Sequence, residues 1–105
     1  MGTASFSVGK YARIRGSGPA SIISSNVRVS GAFTTSTSAG TLQDSTAANV
    51  TLASGEVLQI YADEAMRIRF GGTAATASTG HYIPAGAQVE FECNDPGTVS
   101  IVDVS

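Results

Sequence analysis

Cysteine occurs once in the 105 residues, as Cys93, so no disulfide can close within the chain. A disulfide-stapled secreted scaffold is thereby excluded, and folding in a reducing cytoplasm is acceptable. Histidine also occurs once, as His81, and tryptophan not at all. One Cys and one His cannot supply a zinc site. Charged residues are only 13% of the chain, against roughly a quarter in most soluble domains. Solvation must then fall to Ser, Thr and Gly. The formal net charge is -2, which gives no global field for holding nucleic acid or an anionic membrane. No apolar run reaches the about 18 residues of a membrane span, and Met1 to Lys10 lacks the charged start and apolar centre of a signal peptide. A soluble chain made in the cytosol is expected.

What the sequence does carry is alternation. Between Val57 and Val104 four segments read as half-buried strands: Val57 to Tyr61, Met66 to Phe70, Ala87 to Cys93 and Thr98 to Val104. Met66, Ile68 and Phe70 share one face, with Arg67 and Arg69 on the other. Val89, Phe91 and Cys93 face inward, with Gln88, Glu90 and Glu92 outward. The arginine strand and the glutamate strand could pair across a sheet surface. The four-residue link Ala62 to Ala65 suggests a hairpin between the first two segments. Pro84-Ala85-Gly86 and Asn94-Asp95-Pro96-Gly97 read as turns. No helical stripe persists for two turns. The expected fold is all-β, an antiparallel sandwich or jelly roll, preceded by an extended N-terminal arm.

The first 25 residues differ from the rest. Lys10, Tyr11, Arg13 and Arg15 place three of the six basic residues in one short run, alternating with Ala12 and Ile14 until Gly16-Ser17-Gly18-Pro19 stops it. Two readings stand: an arm that leaves the domain to lie on an acidic partner, or an edge strand whose charges face water. The domain proper is placed at 26–105. Val27 and Val29 share a face in a short strand closing at Gly31. The Thr, Ser, Ala and Gly tract from Ala32 to Ala48 is expected as a long loop or a pair of weak edge strands.

Catalysis needs a nucleophile, a base and an orienting group that converge. His81 stands alone beside a turn, no Gly-x-Ser-x-Gly elbow occurs, and Glu90 and Glu92 read as a solvated strand face. A calcium site could draw on Asp63, Glu64 or Asp95, but no twelve-residue calcium loop is present. The expectation is a protein without catalytic residues, metal or cofactor, acting through its surface.

Met66-Arg67-Ile68-Arg69-Phe70-Gly71, the Thr and Ala run after it, Tyr82-Ile83-Pro84-Ala85-Gly86, Val89-Glu90-Phe91 and Val99 to Val104 carry a resemblance. Over roughly residues 50 to 105 the chain resembles the small β-sandwich decoration, or cement, proteins of tailed bacteriophage heads. That resemblance implies a non-enzymatic virion protein, made in the host cytoplasm. It would sit on the outer surface of the head, often as a homotrimer, and bridge major capsid protein subunits. Candidate contacts with the shell or between subunits are then Phe6, Lys10, Tyr11, Arg13, Ile14, Arg15, Arg67 and Arg69. The alternatives are a carbohydrate- or receptor-binding β-sandwich module of a phage tail or fibre, and a head-to-tail joining or tail tube component.

Overall fold

The computed structural model describes residues 2–13 and 21–104. Its strands are β1 (Thr3–Arg13), β2 (Ser21–Thr34), β3 (Gly40–Thr41), β4 (Thr51–Leu52), β5 (Glu56–Ala62), β6 (Met66–Arg69), β7 (His81–Ile83), β8 (Ala87–Glu92), β9 (Gly97–Thr98) and β10 (Ser100–Asp103). They form two four-stranded sheets, β2-β1-β5-β8 and β3-β10-β6-β7, and a two-stranded β4-β9. Every pairing is antiparallel. The fold is an all-β antiparallel sandwich.

Register explains how so few large residues make a core. Across the first sheet, inward side chains form three rows: Phe33, Ala4, Ala62, Ala87; then Gly31, Phe6, Ile60, Val89; then Val29, Val8, Leu58, Phe91. The opposite sheet answers with Met66 beside Ile83 and Ile68 beside Ile101. All belong to, or pack against, one hydrophobic cluster apart from Gly31. Stacking two inner faces in this way is how a sandwich removes apolar surface from water. The folded chain exposes 5700 Å², close to the roughly 5,500 Å² expected for a compact domain of this mass.

Three of the four expected strands follow the alternation, the segment Thr98 to Val104 divides between β9 and a wholly buried β10, and several expected partnerships differ. β6, which carries Arg67 and Arg69, does not pair with β8; the two lie in different sheets. Nor do β5 and β6 form a hairpin, because the link at 63–65 crosses between the layers. Period two fixes which side chains are buried, and it says nothing about which sheet a strand joins.

Of the segment 1–25, read as an arm or an edge strand, the described residues Thr3 to Lys10 lie within the sheet. Ala4, Phe6 and Val8 are buried, and β1 lies inside its sheet between β2 and β5. β2 runs unbroken across the boundary placed at residue 25 and on through Gly31 to Thr34. Three apolar side chains at period two are sufficient to draw the segment into the core.

The Thr and Ser tract from Ala32 to Ala48 contributes to two edge strands, the end of β2 and the two-residue β3, which lie in different sheets. Leu42, just after β3, and Val50, two residues beyond the tract, are buried, and Val50 N–H donates to Leu42 O at 2.9 Å. Between them Asp44 Oδ1 accepts from Thr46 N–H at 2.9 Å and Ala48 N–H at 3.1 Å, closing a tight turn. A second polar loop, 71–80, lies over the outer face of β10. Ala75 is buried there and its N–H donates to Ser100 Oγ at 2.9 Å.

Candidate docking surface

β1 pairs with β5 only as far as Lys10, opposite Glu56. Beyond that point its partner is β2 alone, through Tyr11↔Ile23, Ala12↔Ile22 and Arg13↔Ser21. Two register shifts, at Val8/Gly9 and Gly9/Tyr11, mark where the sheet narrows from four strands to two. Bulges bend and twist a strand pair, which turns the far end away from its parent sheet. A two-stranded ribbon is marginally stable in water without further packing. The ribbon is therefore the element with most to gain from a neighbour.

Its root is fixed by an ion pair. Arg28 sits in the first bulge, between the pairs Val8↔Val29 and Gly9↔Val27. The same insertion takes Val27 out of phase with Val29, leaving Val27 49% exposed where a shared buried face was expected. Arg28 Nε donates to Glu56 Oε2 at 2.6 Å, and its Nη2 to Glu56 Oε1 at 3.0 Å and Thr51 O at 2.6 Å. Glu56 Oε1 also accepts from Ala53 N–H at 2.8 Å. One arginine thus ties β2 to β5 and to β4.

Burial alone would raise the Glu56 carboxyl, but hydrogen bonds from Arg28 and Ala53 and the charges of Arg28 and Lys10 outweigh it, holding it below its ordinary value of 4.5. A carboxyl with a depressed folded-state pKa contributes stability above its unfolded value and loses it as pH falls through the folded one. Glu56→Gln is expected to cost about 1–2 kcal/mol at neutral pH, since Arg28 is half-exposed and screened. The deficit relative to wild type should shrink as pH drops below 4.5. Urea melts at a series of pH values measure it, and a pH-independent deficit would refute the ion-pair account.

The candidate contact residues take different places. Lys10 is exposed at the ribbon root. Tyr11 and Arg13 belong to the ribbon backbone. Ile14 and Arg15 lie outside the described residues. Phe6 is a core residue, 5% exposed, and offers no contact surface. Arg67 is committed internally: it donates to Ala77 O and Gly80 O, each at 3.0 Å, and stacks over the Tyr82 ring at 5.3 Å. It holds the 71–80 loop in place. Arg69 is half-buried on the same sheet face.

Charge is divided along the chain in a way the totals conceal. Residues 1–43 contain Lys10, Arg13, Arg15 and Arg28 and no acid, while 44–105 contain all eight acids with Arg67 and Arg69. The split is +4 against -6, which sums to the net -2. The described end of the ribbon is thus basic in sequence on an acidic body. That asymmetry was legible in the residue order; the narrowing of the sheet was not, since it depends on where β5 begins.

The residues weighed for chemistry are dispersed. Cys93 is buried, and burial, with the charges of Glu56 and Asp95, pushes its thiol up despite a hydrogen bond from the Asp95 backbone. Asp63 Oδ1 accepts the Thr3 N–H at 2.8 Å. Among the described residues no three His, Cys, Asp or Glu side chains group as a metal ligand set. No family model, curated protein or solved structure matches the chain.

Proposed function

We propose that the chain is a structural virion protein, a decoration (cement) protein that binds the outer surface of a phage head and stabilises contacts between major capsid subunits. The observation that carries this reading is the β1–β2 ribbon, which leaves the four-stranded sheet after Lys10 and bears Tyr11 and Arg13. A rigid sandwich supplies the platform and the ribbon supplies the reach. Lys10 at its root and the arginines in its sequence favour an acidic partner surface through charge complementarity. Each contact is weak. Repetition over a lattice, and a trimer presenting three ribbons, would convert weak contacts into firm attachment. The resemblance over residues 50 to 105 supports the same role.

The test is cosedimentation of purified protein with heads assembled without it. Wild type should pellet with the heads. Lys10→Ala/Arg13→Ala/Arg15→Ala should lose at least about tenfold in affinity, since rim charges act on association and a charge-assisted contact is worth over 1 kcal/mol. Its thermal unfolding should match wild type. Heads that leave wild-type protein in the supernatant would remove the proposal.

A further inference from the structure

A second surface lies where β7 and β8, edge strands of the two sheets, come together. Phe70, His81 and Phe91 meet there, with ring centroids 5.1 Å apart for Phe70–Phe91, 5.2 Å for His81–Phe91 and 6.0 Å for Phe70–His81. Phe91 comes from β8 and His81 from β7, so the three rings join the two sheets. Phe70 and Phe91 stay half-buried and His81 is exposed, so the cluster presents ring surface to solvent.

Phe70 and His81 of this cluster border a cleft of about 650 Å³ that is also lined by Arg69, Thr73, Thr79 and Asp95. That volume is within the range of small-molecule sites, about 300–1,000 Å³. The backbone around it is unusual. Gly80 has φ +118°, and a Cβ there would stand 2.9 Å from Ile68 O and 3.0 Å from Arg69 Cγ. Gly97 has φ +136° and packs against Gly71. Both positions favour glycine.

The polar groups set the ligand class. Arg28 and Arg67 are used internally, whereas Arg69 has no hydrogen-bond or ion-pair partner among the described residues. Asp95 on the same cleft has no ion pair among the described residues either. One guanidinium, donor only, and one carboxylate, acceptor only, balance in charge and complement each other in hydrogen bonding. A net-neutral cleft gives no preference to an anion or a cation. Planar groups of both polarities beside exposed rings fit a ligand with an apolar ring face and a rim of hydroxyls.

We infer that the cleft between Arg69, His81 and Asp95 is a binding site for a neutral saccharide ring, stacked on Phe70 and His81, which Phe91 backs, with its hydroxyls shared between Arg69 and Asp95. The inference does not depend on the virion role, and either can fail alone. On a particle surface the site would hold cell-surface glycan, with mM affinity per copy and avidity from repetition.

The experiment is an NMR titration of the full chain with a panel of neutral methyl glycosides up to ~10 mM, the range in which mM binding registers. Inorganic phosphate and an amino sugar serve as charged probes. At least one neutral glycoside should shift the His81, Phe70, Phe91 and Thr79 resonances in a saturable way. Arg69→Gln and Asp95→Asn should each weaken that binding about tenfold, the loss of one charge-assisted hydrogen bond. Arg69 is half-buried without a partner among the described residues and Asp95 is exposed, so the thermal midpoint should be retained; Arg69→Lys and Asp95→Glu supply the check if it is not. No shift with any neutral glycoside, shifts confined to other residues, response to the charged probes alone, or unchanged affinity in the variants would each overturn it.

Discussion

Ile60→Ala is expected to cost about 3–4 kcal/mol, lowering the thermal midpoint by more than about 10 °C. Ile60 is fully buried in β5, the strand that joins β1 to β8, and its row contains Gly31, Phe6 and Val89. Removing the side chain forfeits its burial and leaves a cavity bounded by both sheets, the combination that makes large-to-small core changes expensive. Ile60→Val, which deletes one methylene, should cost about 1 kcal/mol. Equilibrium urea unfolding of the two variants measures the series. A domain of this size commonly has only about 5–15 kcal/mol in total. Equal, small effects for both variants would mean that the layers are not packed as described.

Asp103→Ala should be nearly as damaging, at about 2–3 kcal/mol, although the residue is polar. Asp103 is 2% exposed and faces inward beside Met66. Thr35 Oγ1 donates a short hydrogen bond to its Oδ1, and Gly2 N–H donates to Oδ2 at 3.2 Å. Thr35 N–H donates in turn to Gly2 O at 2.8 Å, and Asp103 N–H to Ser36 O at 2.8 Å. The start of β1, the end of β2 and the last strand are therefore joined through one carboxylate. Alanine would strand a buried hydroxyl and a backbone N–H, and the desolvation cost of groups left without partners exceeds the net value of the bonds themselves. Among the described residues no buried side-chain nitrogen or oxygen lacks a partner in the wild-type structure. Asp103→Asn retains an acceptor and should cost less. A double-mutant cycle with Thr35→Val should return a coupling above about 0.5 kcal/mol, and additivity would contradict the shared hydrogen bond.

Asp103 and the Arg28–Glu56 pair do similar jobs at opposite ends of the β1–β5 pairing. Each joins strands of the first sheet to another part of the fold by a carboxylate that collects donors. Ser/Thr-rich strands offer little side-chain contrast to specify register, and two fixed polar points compensate for that weakness.

How much of this could be read in advance differs from one segment to the next. Ala87–Glu92 was fully legible: Val89, Phe91 and Cys93 are the more buried set, and Gln88, Glu90 and Glu92 the exposed one. Met66 and Ile68 are likewise buried, as their spacing implies. Sheet membership was not legible, because it depends on contacts distant in sequence. The bulge at Arg28 was hidden too, since an added residue resets the alternation without any unusual composition. For the same reason the partnership of Arg28 with Glu56 escaped notice. Lys10, Tyr11, Arg13 and Arg15 stood out as a basic run, but whether they formed an arm or an edge strand depended on the pairing of β1 with β5. The cleft was missed because Arg69, His81 and Asp95 reach it from three separate segments, and only the turn at 94–97 and the glycines hinted at a shaped surface there.

The central claim concerns where the ribbon goes. A density map of the intact particle at side-chain resolution tests it directly. The account predicts this chain on the outside of the head where three copies meet, each β1–β2 ribbon lying against a neighbouring capsid subunit. Density for the chain in the tail, or on the head with the ribbon extended into solvent, would contradict it.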